Sequence, residues 1–407
     1  MGNSSCLRLL ILACTLMLWG ALASSAQYFP PPDRAGGWRT AASPQAVRQT
    51  TGLDARKLDA AFLYIQGSSQ HGGLLVVRHG WLAYERYFGR ASRDATPNEA
   101  SCMKSVTSIA IGMLIHERPD LFPDALEQKV YTPRYLPPEA FPLNDPAKSE
   151  IKLGQLLAMS AGIRGNSPGY VHGKPVAIDP EGPDGWPAMV DANAFAATLW
   201  CKPGEGYSYA TVCPHLLSVI VRHATGKEMQ DYLETHLAQP LGWGQWGCGY
   251  RNHPEITHTP GGGGIALRST DMLRFGYLLL HQGLWQARQL VPAEYVHRAT
   301  TPSPYNPHYA YGLQFELNSD GEAPRAPRDA YWKHGFGGFA LCVVPSLDLV
   351  VWKMGGHDSQ YEAADTGLPE PRPYDGSRAG WKPTVDEDAS ALRLLEMVVA
   401  AIEGNRS

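Results

Sequence analysis

A serine three residues ahead of a lysine can do chemistry if both lie on one turn of a helix. Ser101 and Lys104, in the stretch "EASCMKSVTS", have that spacing, which on a helix sets the two side chains on one face within reach of each other. A serine hydroxyl is a poor nucleophile until a base takes its proton. An amine can be that base only when neutral, and burial beside a second cation drives a lysine towards neutrality. The residues after Lys104, "SVTSIAIGMLI", are small and apolar, and a lysine at the head of a buried helix is costly unless it is employed. The spacing alone is weak, because Ser149 and Lys152 repeat it. There, however, Ser149 reads as a helix cap before "IKLGQLL", with Glu150 facing solvent. Two further stretches add weight. Tyr209, in "KPGEGYSYATVCPHLLSVI", stands in a turn before a helix, where a phenol could relay a proton, although a lone tyrosine is ordinarily packing. Lys333-His334-Gly335, in "YWKHGFGGF", supplies a second cation on a glycine-rich strand that must run close to something; such glycines also serve close helix packing.

The elements that must position these residues follow from hydrophobic periodicity. "DARKLDAAFLYIQ" places Leu58, Ala61, Phe62 and Ile65 at helical spacing, predicting a helix over about 54–66. "GLLVVRHGWLAYERYFG" is two apolar strands about His79-Gly80, a hairpin signal. From Ser101 to about Tyr250 the pattern is helical, interrupted by Pro- and Gly-rich loops, notably 163–190. Helical periods continue in "STDMLRFGYLLLHQG" and "PAEYVHRATT". Strands return in "YAYGLQFELN", "YWKHGFGGFALCVVP" and "LDLVVWKMG", the last two joined by the turn "PSLD". A loop covers roughly 356–385, and "ASALRLLEMVVAAIEG" closes the chain as a helix. The simplest architecture is an α/β (α+β) sandwich: one antiparallel sheet built from both ends of the chain and carrying its terminal helices. Its segments would be 51–100 and 255–407, with a mainly helical region, 101–254, inserted. Residues 27–50 read as an extended leader. The cleft between the two lobes is the default place for a ligand. "GGGG" at 261–264 lacks the strand-to-helix context of a nucleotide site and reads as a tight loop.

Composition narrows the function. The 407 residues are 44% hydrophobic and 18% charged with net charge −4, so nothing resembles a nucleic-acid footprint, and a small-molecule or peptide-like substrate fits. The 14 histidines form no metal-ligand pattern, so neither a metal nor another cofactor is expected. Arg8 followed by "LLILACTLMLWGALA" and the small residues "ASSAQ" reads as a secretory signal cleaved after Ala26. The apolar run is short of the about 20 residues that span a membrane comfortably, so no stable span is expected after cleavage, and the protein is expected to be secreted or periplasmic. Five cysteines then remain: Cys102, Cys201, Cys213, Cys248 and Cys342. Export permits disulfides. An odd count leaves one thiol free, with Cys102 the natural candidate and one bridge expected among Cys201, Cys213 and Cys248. The oligomeric state is not legible.

Taken in order, Ser101-Cys102-Met103-Lys104, Tyr209-Ala210-Thr211 and Lys333-His334-Gly335 resemble the S-x-x-K, Y-x-N and K-T-G or H-x-G boxes of the serine β-lactamase-like superfamily. That superfamily includes class C β-lactamases, D-Ala-D-Ala peptidases and family VIII esterases. "LLAMSAGI", "GGGGIALRSTDMLRFGYLLL" and "VVPSLDLVVW" are similar to its flanking stretches, and the resemblance covers roughly 53–356 plus the last helix. It implies a β-lactamase-like sandwich with an inserted helical domain. It also implies a nucleophile at Ser101, proton transfer by Lys104 and Tyr209, and an oxyanion hole from the backbone N–H groups of Ser101 and Phe336. Substrate would be held by Thr211, Lys333, His334 and Gly335. Whether Lys104 or Tyr209 is the first base stays open. Two departures, Thr211 for asparagine and His334 for threonine, put β-lactam turnover in doubt more than nucleophilic attack. The expected function is therefore a serine hydrolase acting through an acyl-enzyme on a small ester or amide. The alternatives are a D-Ala-D-Ala carboxypeptidase or class C-like β-lactamase and, in another class, an inactive peptidoglycan- or glycan-binding relative. A Ser-His-Asp hydrolase would need a glycine-flanked elbow, and "AMSAG" about Ser160 lacks the first glycine.

Overall fold

The structure is a computed structural model that describes residues 27–370 and 374–404; the expected signal segment lies outside them. Six strands form one antiparallel sheet: β1 (Gly72–Arg78), β2 (Trp81–Phe88), β3 (Glu316–Leu317), β4 (Tyr331–Gly335), β5 (Phe339–Val344) and β6 (Leu349–Met354), in the order β2-β1-β6-β5-β4-β3. The central β1–β6 pairing, with Val76 opposite Val351, joins the two ends of the chain into one sheet. Two of its hairpins close as their sequences require. His79 and Gly80 both adopt positive φ, +54° and +70°, which matches the twist of the flanking strands. "PSL" forms a single turn that ends at Asp348 with φ +49°.

β1 and β5 read as nearly unbroken apolar runs because both faces of the sheet are covered there. Successive residues point to opposite faces, so each strand feeds two cores. Leu74, Val76, Cys342, Val344 and Val351 face helices α2 (Ala55–Ile65) and α6 (Glu387–Ala400). Leu75, Val77, Leu341, Val343, Val350 and Trp352 face the other way. There they meet α5 (Ser269–Leu280) and the helical region built around α3 (Met103–Glu117) and α4 (Val212–Thr225). Lys333 is opposite Leu341 in the β4–β5 register and so shares this second face. Every residue of α3 from Met103 to Leu114 is buried, as expected of a helix that is apolar all round.

Three expectations change. The stretch 27–50 is not an extended leader throughout, because helix α1 (Pro44–Thr51) occupies its end. Ser43 caps that helix, accepting from the Ala46 N–H at 3.2 Å, and Pro44 takes the first helical position, where its missing N–H costs nothing. The stretch "YAYGLQFELN" yields only the two residues of β3. Gln314 lies at φ +68°, and Leu313 donates to the Ala299 carbonyl instead of to a strand. Finally, all five cysteines among the described residues are unpaired thiols. No bridge joins Cys201, Cys213 and Cys248; Cys213 lies inside α4 while Cys248 lies on a short separate strand.

Candidate active site

Ser101 sits in a single tight turn, Ala100–Cys102, that runs directly into α3. N–H groups in such a first turn have no intrahelical partner. The turn is held from both sides. Asn98 accepts from the Ala100 N–H at 2.9 Å, and Glu99 donates to the Ile265 carbonyl at 2.8 Å. Between them Ala100 lies in the left-handed region, φ +47°, a conformation that costs a non-glycine residue about 1–3 kcal/mol and persists only where its surroundings over-determine it. A Cβ on Gly335 would stand 2.3 Å from the Glu99 carbonyl oxygen. The glycine of β4 therefore allows that strand to run against the Ser101 turn, which is the close approach its sequence implied.

One turn along α3, Lys104 is 1% exposed. Its Nζ donates to Ser101 Oγ at 2.8 Å and to the Gly262 carbonyl at 2.5 Å. Burial, and then the charge of Lys333, lower its pKa from the usual lysine value to about 7. Tyr209, just ahead of α4, lies between the two lysines: its ring centre is 5.0 Å from Lys104 Nζ and 4.8 Å from Lys333 Nζ. Burial raises the Tyr209 phenol above its ordinary value, against the pull of Lys333 and of hydrogen bonding with Ser101. Lys333, also 1% exposed, is held as a cation despite its burial, because Glu316 pairs with it and Tyr209 adds to the field. Phe336, directly after β4, is 70% exposed. It lines, with Ser101, both cavities that flank the hydroxyl.

Ser101, Lys104, Tyr209 and Lys333 thus converge. The structure adds three groups that motif reading missed. Glu316, from β3, is partly buried and pairs with Lys333; its other oxygen lies 3.2 Å from both the His334 backbone N and the His334 Nδ1. Lys333 and then His334 hold that carboxyl well below the usual range, although burial opposes them. Asp184, from the long loop 163–190, accepts from Thr211 Oγ1 at 2.5 Å. The "GGGG" loop is not a mere turn, since Gly262 supplies the carbonyl that grips Lys104. A Cβ on Gly261 would lie 1.9 Å from the Pro214 carbonyl oxygen, and one on Gly262 would lie 2.6 Å from Thr211 Cγ2. Both departures from the motif, Thr211 and His334, therefore face carboxylates. The repeated spacing at Ser149 and Lys152 builds nothing comparable: Ser149 bonds its own turn at the Pro146 carbonyl, and Lys152 pairs with Glu127 at the surface. Among the described residues no cluster of His, Cys, Asp and Glu could hold a metal ion, and no helix is long and apolar enough to cross a membrane.

This constellation sits on a six-stranded antiparallel sheet with a mainly helical region inserted between its strands. A family-level match to Beta-lactamase spans residues 56–356, and the chain belongs to that family. None of the curated proteins compared with it matches. Solved structures similar in fold include a proposed 6-aminohexanoate-dimer hydrolase from Bacillus anthracis, 16% identical over 93% of this chain and 91% of that one, TM-score 0.61. EstCE1, a hydrolase with promiscuous acyltransferase activity, is 14% identical over 86% and 98%, TM-score 0.61. A penicillin-binding protein homologue from Caulobacter crescentus is 15% identical over 85% and 97%, TM-score 0.55.

The titration of Lys104 carries a direct consequence. A lysine accepts a proton only when neutral, so the neutral fraction, and with it kcat/KM for an uncharged ester, should rise about tenfold per pH unit below about 7 and level off above it. A profile measured between pH 5 and 9 that stays flat, or falls on the alkaline side of 7, would contradict this assignment.

Proposed function

We propose that the protein is a serine hydrolase that works through an acyl-enzyme on small esters or amides. The observation that carries this reading is the 2.8 Å contact between Ser101 Oγ and a lysine amine poised to be neutral near pH 7. Lys104 is the first base in this account, because the phenol of Tyr209 is shifted away from ionisation and the amine of Lys104 towards neutrality. Lys104 takes the hydroxyl proton as Ser101 Oγ attacks the substrate carbonyl. The negative charge that grows on the carbonyl oxygen is met by the N–H groups of Ser101 and Phe336, a contribution of about 2.7–4 kcal/mol for each such donor. Tyr209, polarised by Lys333, passes the proton to the leaving atom. The bond to the leaving group breaks, and Ser101 is left acylated. Water then takes the leaving group's place and the steps run in reverse: Tyr209 accepts its proton and relays it to Lys104, which returns it to Ser101 Oγ as the acyl bond breaks and the acid is freed. The sequence pattern of residues 1–26 supports export, and the proposed enzyme acts outside the cytoplasm.

Thr211 and His334 argue for esters and simple amides over β-lactams. A β-lactam such as nitrocefin carries a ring carboxylate. It also carries a side-chain amide, and the two positions that would receive the amide and the carboxylate stand against Asp184 and Glu316. Two polar contacts left unmade or opposed, at about 1–3 kcal/mol each, lower efficiency by roughly 30-fold at least. The expected result is a kcat/KM for p-nitrophenyl acetate above that for nitrocefin on the same preparation, each corrected for spontaneous hydrolysis. A nitrocefin value above about 10⁴ M⁻¹s⁻¹ with a weaker ester value would move the reading to β-lactam turnover.

A further inference from the structure

Ser101 and Phe336 stand between two cavities, and the two differ in kind. The first, about 560 Å³, is lined by Met189, Trp186 and the side-chain-free run Gly262–Gly264, with Lys104, Glu362, Asp365 and the shared Asp184 also on its wall. The second, about 620 Å³, contains Tyr209, which the first does not. If Tyr209 delivers the proton to the leaving atom, the leaving group occupies the second cavity and the acyl part the first.

The second cavity has a wall of tyrosine rings. Tyr207 and Tyr309 stack at 4.6 Å with 9° between their planes, and Tyr170 lies against Tyr309 at 4.7 Å. The wall is fixed by backbone pairing: Tyr170 and Tyr207 exchange N–H to carbonyl hydrogen bonds of 2.8 and 2.9 Å. The charged lining comprises Asp184, Glu316 and Glu322, with no lysine or arginine among the described lining residues. Glu316 is neutralised from behind by Lys333. Asp184 is held by a neutral hydroxyl, Thr211 Oγ1. Glu322 has Asp320, Glu316 and His334 as its charged or titratable neighbours, and burial together with the two acids pushes its carboxyl above the usual range. Asp184 acts through space on Lys104, but neither it nor Glu322 forms a salt bridge among the described residues; over aromatic faces that attract cations, the pair makes a field that welcomes positive charge and repels negative charge.

We propose that this tyrosine-walled cavity is a leaving-group site for organic cations, that is, alkylammonium or quaternary ammonium groups, seated on the rings of Tyr170 and Tyr309 and faced by Asp184 and Glu322. The assignment of the cavity to the leaving group rests on the acyl-enzyme reading above; the affinity for cations does not. The substrate class that follows is an ester or amide whose alcohol or amine portion bears a positive charge a few bonds from the scissile carbonyl.

The test is binding, so that it stands apart from catalysis. Titrate the Ser101→Ala protein by calorimetry with choline, with its uncharged isostere 3,3-dimethylbutan-1-ol, and with the anion 4-hydroxybutanoate, at low ionic strength. Choline should bind at least about tenfold more tightly than the isostere and the anion most weakly, with the preference shrinking as salt is added. Glu322→Gln and Tyr309→Leu, each checked for a native melting transition, should each reduce the choline preference severalfold. Affinities of choline and its isostere within about twofold, tighter binding of the anion, no measurable binding of choline, or a preference unchanged in both variants would overturn the proposal. A protein that binds choline selectively but never turns over p-nitrophenyl acetate would keep the cation site and remove the acyl-enzyme reading. One that turns over the ester without choline selectivity would do the reverse.

Discussion

Replacing Ser101 by alanine should lower kcat/KM for p-nitrophenyl acetate by about 10⁴-fold or more, with little change in the thermal midpoint. The size of the loss follows from what remains. The N–H groups of residue 101 and Phe336 survive the substitution, and so does the binding cleft, but no atom is left to form the acyl bond. Removing the nucleophile from such a group costs nearly as much as removing the whole group, because its members act as one unit. The fold should scarcely notice. Ser101 is partly exposed and bonds only within the site, accepting from Lys104. A variant that keeps more than about a tenth of the activity would place the chemistry elsewhere.

Lys104 is the second large effect, and it has two signs. Lys104→Met should cut kcat/KM by about 10²-fold to 10⁴-fold, the usual worth of a general base. Adding Tyr209→Phe should cost little more than the worse single change, since both serve one proton path. Losses that simply multiply would mean that the two act independently. The same substitution should stabilise the protein. The folded-state pKa of about 7 lies below the unfolded value near 10.5, so the folded protein disfavours the charged form. That cost is absent above pH 10.5, grows as pH falls towards 7 and is constant below 7. Lys104→Met should therefore raise the melting temperature at pH 7, by a gain on the order of a few kcal/mol, and raise it little at pH 10. Gain at the site's expense is the usual trade at a strained centre. A variant less stable than the parent at pH 7 would show that the lysine is a structural group.

The residues that do the proposed chemistry were legible because each belongs to a short local pattern. Ser101 and Lys104 are one helical turn apart, Tyr209 precedes a helix, and Lys333-His334-Gly335 opens a strand. The two-ended sheet was legible for a related reason: "LLVV", "FALCVV" and "LVVW" are too uniformly apolar for strands with a wet face. What escaped depends on tertiary pairing. Glu316 looked like one acid in a strand of ordinary composition, and only the β3–β4 pairing brings it behind Lys333. The signal that could have raised suspicion is an acid between two large apolar residues, "FEL", where burial without a cation is expensive. Asp184 stands in a loop with no periodicity at all, and its meeting with Thr211 is set by how 163–190 folds back. The left-handed Ala100 left no trace in the sequence, because alanine does not advertise that conformation. Helix α1 did leave a signal, Ser43 before Pro44, that the surrounding Pro- and Gly-rich composition obscured.

The central claim is that Ser101 becomes acylated. Incubating the purified protein with a fluorophosphonate and mapping the modified peptide by mass spectrometry tests it directly. The account predicts one adduct, on Ser101, absent from Ser101→Ala and formed faster as pH rises through about 7. An adduct on another residue, or labelling that persists unchanged in Ser101→Ala, would contradict it.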